Sequence, residues 1–149
     1  MWKPFSANRN QAVAVGPGRA ALHSGETRRY DIADVEMMGQ IAVVTFTVDQ
    51  LSLERGVALL ADVLDDLVDS GIHHFVLDIQ NIRHMDSACV GCMVETLNKL
   101  ARSGGRIALA NAGSSVAYLF RLTRLDRVFP ICADVMAAVA TIERGMQRG

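Results

Sequence analysis

The side chains best suited to chemistry lie close together in one short stretch, residues 84–92. Within it, Asp86 and Ser87 lie where a strand-like run ends and a helical pattern begins. Either side chain can accept a hydrogen bond from the free N–H groups of a first helical turn, so both are N-cap candidates. A hydroxyl at a helix N-terminus can also carry a phosphate, because the free N–H groups and the helix dipole favour negative charge there. The stretch therefore predicts a helix cap, a phosphorylation site, or both.

Two cysteines provide a different chemical hypothesis. Cys89 and Cys92 form a C-x-x-C pair at the start of the same predicted helix, where a thioredoxin-like oxidoreductase carries its dithiol. The alternative is that both are small buried hydrophobic residues on the core side of the helix. The chain after Pro130 is too short for the hairpin that a thioredoxin fold needs before its last helix. This argues against a thioredoxin fold, and we keep dithiol redox catalysis only as the alternative hypothesis for an enzyme.

Other kinds of site have weaker support. Ser87 lacks the flanking glycines of a nucleophile elbow, and His84 has no evident third member for a catalytic triad. A predicted helix carries four carboxylates without the glycine turn of a calcium loop, which indicates a solvated face: Asp62, Asp65, Asp66 and Asp69. His73 and His74 are neighbours on a strand and point to opposite faces. We therefore predict no metal site and no cofactor.

Composition restricts the class of protein. The chain has 149 residues, the length of one domain, and 50% of them are hydrophobic but only 5% aromatic, which predicts an aliphatic core. A formal charge of −1 argues against nucleic-acid or anionic-membrane binding. Three cysteines do not form a disulfide framework, and no apolar run has the length of a membrane span or of a signal-peptide core. We expect a cytoplasmic protein.

The elements that position the stretch are those of an α/β domain. Residues 1–29 are predicted to be a flexible tail and residues 30–149 a single domain. Strand-like runs at 32–37 and 41–48 flank a hairpin signal, and a helix with Ser52 as its candidate cap follows. Strands and helices then alternate, with the central strand at 75–79, a last short strand within residues 125–132 and a last helix capped by Asp134. The predicted order is β-β-α-β-α-β-α-β-α, a mainly parallel sheet with an opening antiparallel hairpin and helices packed on it.

Two segments carry a family resemblance. Residues 77–87 (LDIQNIRHMDS) and 122–131 (LTRLDRVFPI) resemble the signature segments of the STAS domain, at the spacing found in that family. The resemblance covers the chain from Tyr30 to about Ile142 and implies a STAS-like fold. The absence of a predicted membrane span favours the soluble bacterial anti-sigma factor antagonists over the sulphate-transporter tails that share the domain.

The resemblance implies a regulator that works by partner switching and is not an enzyme. An unphosphorylated antagonist of this type docks on an anti-sigma factor that is also a serine kinase, phosphorylation ends the docking, and a PP2C-type phosphatase restores it. By this resemblance Ser87 is the phosphoacceptor and Asp86 its orienting cap, in a monomer or weak dimer. The predicted docking surface consists of Asn81, Arg83, His84, Asp86, Ser87, Ala88 and Cys89. A stressosome-type scaffold or an antagonist that is never phosphorylated is the alternative within this class.

Three positions depart from the pattern common in the family. Two hydroxyl residues and a glycine commonly follow the motif aspartate, but here the residues are Ser87, Ala88 and Cys89. Ser87 is therefore the one hydroxyl left at the motif, and Cys89 is expected to add bulk where a partner approaches. Arg124 replaces a residue that is usually glycine.

Overall fold

The computed structural model describes residues 22–148. Its strands are β1 (Thr27–Arg29), β2 (Ala33–Met38), β3 (Ile41–Phe46), β4 (Gln50–Leu51), β5 (His74–Asp78), β6 (His84–Met85), β7 (Arg106–Ala110) and β8 (Ile131–Cys132). Its helices are α1 (Val57–Asp69), α2 (Ser87–Ala101), α3 (Ser114–Leu122) and α4 (Val135–Arg148), with a 3₁₀ turn at Leu125–Arg127.

Within residues 22–148, six strands form one mixed sheet in the order β1-β2-β3-β5-β7-β8. Strands β1, β2 and β3 are antiparallel, and β3, β5, β7 and β8 are parallel to one another. The predicted α/β class and the opening hairpin are therefore confirmed. The prediction of one strand within residues 125–132 is correct only at its end, because residues 125–127 form the 3₁₀ turn instead.

Helices cover both faces of this sheet. The alternate residues Phe75 and Leu77 of β5 pack in a cluster with side chains of α1, α2 and α3. Val76, on the opposite face, packs with Val139 and Ile142 of α4. The core is mostly aliphatic, as predicted, but the described part of the chain also buries four phenylalanines completely: Phe46, Phe75, Phe120 and Phe129.

The start of α1 differs from the sequence prediction. Ser52 does not cap the helix, which begins at Val57 after Gly56 in the left-handed conformation, φ 97°. Ser52 instead closes a turn, because its hydroxyl accepts a hydrogen bond from Arg55 N at 3.1 Å and its N–H donates to Arg55 O at 2.7 Å. The preceding residues pair as β4 with β6 in a separate two-stranded parallel sheet. The prediction of a Ser52 cap was wrong because these turn contacts use the hydroxyl.

The N-terminal edge of the sheet begins earlier than the predicted domain boundary at residue 30. β1 pairs with β2, and Arg28 donates a 3.3 Å hydrogen bond to the Asp66 carboxylate of α1. The Tyr30 hydroxyl also donates to Asp66, and burial together with this contact raises the pKa of Tyr30. Asp66 therefore belongs to an interface with β1, so the prediction of a solvated carboxylate face was wrong for this residue. The predicted tail over residues 1–21 lies outside the described residues.

Two further structural findings concern the classes of site considered above. In the described part of the chain, no three His, Cys, Asp or Glu side chains are grouped so that they could hold a metal ion. None of the helices within residues 22–148 combines the length and the apolar character needed to cross a membrane.

Candidate functional site

The residues before α2 form a loop that is fixed to its neighbours through backbone hydrogen bonds. Ile79 N donates to Ala110 O of β7 at 3.0 Å, which holds the end of β5 in the sheet. Arg83 N and His84 N both donate to Asp49 O, at 2.7 and 3.3 Å. The parallel pairing of β4 with β6 continues this contact. The loop therefore delivers the chain to the start of α2 in one defined position.

Asp86 is the N-cap of α2, which decides between the two candidates that the sequence offered. Its backbone is extended, with φ −101° and ψ 176°, and its carboxylate Oδ1 accepts from Ala88 N at 3.1 Å and Cys89 N at 3.3 Å. A cap of this type satisfies N–H groups that have no partner within the helix. The local sequence located this helix start, since a short polar side chain before an amphipathic run is a strong start signal.

The second oxygen of the Asp86 carboxylate joins α2 to the turn before α1. Oδ2 accepts a 2.8 Å hydrogen bond from Leu53 N, and Asp86 N donates to Leu51 O at 3.1 Å. The Leu53 N–H, followed by those of Cys89 and Ala88, lowers the pKa of Asp86 from its usual value. The carboxylate is therefore ionised at neutral pH, and a negative charge lies at the N-terminus of α2.

Ser87 is the first residue of α2, and its side chain is exposed. Asn81, Arg83 and His84 are exposed as well, and Ala88 is half-buried. The structure therefore brings these five residues of the predicted docking surface to the same end of α2. The Asn81 amide also has a structural contact, because it donates to Phe46 O of β3 at 2.9 Å.

Cys89 does not belong to this surface. Its side chain is completely buried in the cluster that includes Met93, one helical turn further on. The prediction of Cys89 as a partner-contacting residue was wrong, and so was the expectation that its bulk meets a partner. Its position at N3 of the helix directs the side chain into the core, which is a consequence of the 3.6-residue period.

The two thiols of the C-x-x-C pair are in an environment that opposes dithiol chemistry. Burial, followed by the nearby Asp86 charge, raises the pKa of Cys89 to about 12. Burial, followed by the charges of Asp65 and Glu95, raises the pKa of Cys92 to about 11. Catalytic dithiols need a lowered thiol pKa, because the thiolate is the nucleophile. The raised pKa values of both thiols instead fit the alternative hypothesis, in which Cys89 and Cys92 are small hydrophobic residues on the core side of the helix.

Helix α3 also contacts the loop before α2. The hydroxyl of Ser115, an exposed residue in the first turn of α3, donates to Arg83 O at 3.4 Å. Beyond α3, Arg124 has the left-handed backbone conformation, with φ 62°. Glycine adopts this conformation without a steric penalty, which gives a physical reason for the glycine that is usual at this position.

Sequence analysis missed the tertiary contacts around this site, and two of them involve an aspartate side chain. One is the Leu53–Asp86 hydrogen bond, for which the sequence carries no signal. The other lies at the ends of β5 and β7, where the buried Asp78 carboxylate accepts from Gln80 N at 3.2 Å and from the Asn111 amide at 3.1 Å. An aspartate inside a buried strand was the available signal for this second contact, since a buried carboxylate needs hydrogen-bond donors.

Comparisons with known proteins give consistent matches. A family model described as STAS domain matches residues 31–138. A Thermotoga maritima protein described as a candidate anti-sigma factor antagonist is 26% identical over 95 residues, which are 64% of this chain and 84% of that protein. The crystal structure of an anti-sigma factor antagonist from Mycobacterium paratuberculosis has a TM-score of 0.67 at 19% identity, covering 74% of this chain and 92% of the other. The Bacillus cell fate determinant SpoIIAA in its phosphorylated form has a TM-score of 0.59 at 18% identity, covering 74% and 98%.

Proposed function

We propose, from the fact that this chain belongs to the STAS domain family, that it is an anti-sigma factor antagonist acting by partner switching. In its unphosphorylated form it docks, in the cytoplasm, on an anti-sigma factor that is also a serine kinase, and the sigma factor is released. Phosphorylation of Ser87 ends the docking, and a PP2C-type phosphatase restores it. The protein acts through protein–protein contact and not through catalysis.

The observation that carries this proposal is the exposed hydroxyl of Ser87 at the first residue of α2, next to the Asp86 carboxylate. A phosphate on Ser87 adds about −1.5 to −2 charges at neutral pH. Asp86 already supplies one negative charge and already binds the N–H groups of Ala88 and Cys89. The added charge therefore accumulates at the docking surface, where it repels an acidic partner surface and would be buried without a counter-charge against a neutral one. The switch needs no refolding.

Relatives support the general role. The Thermotoga maritima protein is described as a candidate anti-sigma factor antagonist, and SpoIIAA, described as an anti-sigma factor antagonist, has been solved in an unphosphorylated and in a phosphorylated form. The same fold therefore occurs in a protein that carries a phosphate. The transfer of that regulation to Ser87 is part of our proposal.

Ala88 supports a second candidate function. The position that carries a second hydroxyl in many family members has a methyl group here. If phosphorylation requires that second hydroxyl, this chain docks without being switched, as a constitutive antagonist or a stressosome-type scaffold. The docking surface is the same in both candidates.

The test is incubation with ATP and each purified anti-sigma kinase encoded in the same genome, followed by intact-mass measurement. We expect one phosphate on the wild type and none on Ser87→Ala. Ser114→Ala is the matched control, because Ser114 is also an exposed serine at the first residue of a helix. It should accept phosphate like the wild type.

The other outcomes are equally informative. Kinase binding without phosphate on the wild type would contradict the switch and support the constitutive antagonist. Phosphate that persists on Ser87→Ala but disappears from Ser114→Ala would place the acceptor on α3. Neither binding nor phosphate with any kinase would overturn the antagonist role.

A further inference from the structure

The turn between β4 and α1, residues 52–56, carries an apolar side chain that no packing explains. Leu53 is 69% exposed, the highest value among the large hydrophobic residues within residues 22–148. Its neighbours Glu54 and Arg55 are exposed too. A single exposed leucine is ordinary on a protein surface. Leu53 differs because hydrogen bonds hold its backbone in place and because it lies beside the predicted docking surface.

The backbone that presents Leu53 is held in place on both sides. Ser52 is buried, and its N–H and C=O both pair with Arg55, at 2.7 and 3.1 Å. The Leu53 N–H is held by the Asp86 carboxylate at 2.8 Å. A side chain on a backbone that is already ordered loses less conformational entropy when it binds a partner. The turn is therefore preorganised for contact.

The turn is also continuous with the predicted docking surface. The carboxylate that holds Leu53 is the N-cap of the helix that begins with Ser87. A groove of about 880 Å³ runs beside the turn, and the residues that line it include Arg55 of the turn and Asn81 and Arg83 of the predicted docking surface. The turn and the loop that carries Asn81 and Arg83 therefore both line one concave surface.

We propose that the turn 52–56 is a second part of the docking surface and that Leu53 is the apolar anchor that enters a pocket of the anti-sigma factor. This inference rests on the function proposed above. Phosphate on Ser87 would lie next to the carboxylate that positions the anchor, so burying Leu53 would also bury excess negative charge. The proposal explains how one phosphate on an exposed serine can end a larger contact.

The experiment measures the Kd of each anti-sigma kinase encoded in the same genome for the wild type and for Leu53→Ser. We expect the substitution to weaken binding about tenfold, the loss typical of an anchor residue at an interface. Met136→Ser is the matched control, since Met136 is 61% exposed but lies on α4, on the opposite face of the sheet. It should bind within about twofold of the wild type, the scale on which energetically neutral positions vary.

A second measurement is amide hydrogen exchange of the wild type with and without the bound kinase. We expect exchange in residues 52–56 to slow on binding. Equal affinity of Leu53→Ser and wild type, or unchanged exchange in the turn, would overturn this inference while the antagonist role stands. Failure of the wild type to bind any kinase would overturn both.

Discussion

At the scale of single residues, Asp86 is the side chain on which the site depends. One of its oxygens binds two N–H groups of α2 and the other binds the N–H of Leu53. A serine or threonine at this position could cap the helix but has one side-chain oxygen to serve both elements. The carboxylate is therefore needed to align the turn with the helix, in addition to starting the helix.

Arg124 leads to a prediction at the same scale. Its left-handed backbone, with φ 62°, costs an arginine about 1 to 2 kcal/mol that glycine does not pay. Arg124→Gly should therefore raise the free energy of unfolding by about 1 kcal/mol, after the entropy that glycine adds to the unfolded chain is subtracted. Urea unfolding monitored by circular dichroism measures this change.

The matched control is Arg121→Gly. Arg121 is also exposed but lies in the last turn of α3 with helical geometry, so this substitution should lower stability by about 1 kcal/mol. Opposite signs for the two variants are the expected result. A loss of stability in both would show that the Arg124 side chain makes contacts that outweigh the backbone strain.

At the scale of elements, α2 is the helix that both carries the proposed phosphoacceptor and packs on the sheet. Its start is set by Asp86, and its end is followed by Gly104, with φ 75°, and by Gly105. Gly105 is required by close packing: a Cβ there would meet the backbone carbonyl of His73 and would lie 2.6 Å from Leu100 Cβ. Any side chain at the return of the chain into β7 therefore forces backbone and core atoms to move.

Two glycines of this region should respond in opposite ways to alanine. Gly105→Ala should lower the free energy of unfolding by about 1 to 3 kcal/mol, because backbone and core atoms must move. Gly91→Ala, within α2, meets no atom within 4 Å and should raise it by about 0.5 to 1 kcal/mol. Denaturant unfolding of both variants tests this pair, and a tolerated Gly105→Ala would contradict the packing argument.

At the scale of the whole molecule, the parallel sheet brings distant segments together at its two ends. The carboxyl ends of β5 and β7 carry the Asp78–Asn111 pair and lead into the loop of the candidate site. The opposite ends bring His74 beside Arg106 and the start of β3. His74 Nδ1 is buried without a hydrogen-bond partner in the described structure. One end of the sheet thus leads into the candidate functional site, and the other end holds the buried nitrogen of His74.

His74 predicts a dependence of global stability on pH. Burial, followed by the charges of Arg106 and His73, lowers the pKa of His74 below its usual 6.5. The unfolded chain therefore binds a proton before the folded one does, and stability falls as the pH drops from about 6.5 towards the lower folded pKa. Thermal unfolding of the wild type between these values should show a declining midpoint.

His74→Leu removes both the proton uptake and the unpartnered nitrogen, so the decline in this pH range should become smaller. His84→Leu, which changes an exposed residue of the loop, is the control and should retain the wild-type decline. If both variants behave alike, groups other than His74 dominate the dependence.

The sequence alone determined those features that depend on near neighbours along the chain. Periods of two and of 3.6 residues predicted the alternating strands and helices, the turn signal between two strand-like runs predicted the hairpin, and composition predicted the aliphatic core. The Asp86 cap and the signature segments were also readable, because a cap is a contact with residues two and three positions away.

Only the tertiary structure decided which side chains meet across the fold. It buried Cys89, moved the start of α1 from Ser52 to Val57, joined β1 to α1 through Asp66, and placed Leu53 beside Asp86. The last two contacts join residues 38 and 33 positions apart. Partners this distant are selected by the packing of the whole sheet and its helices, and the local pattern around Leu53 is the same whether a carboxylate lies beside it or not.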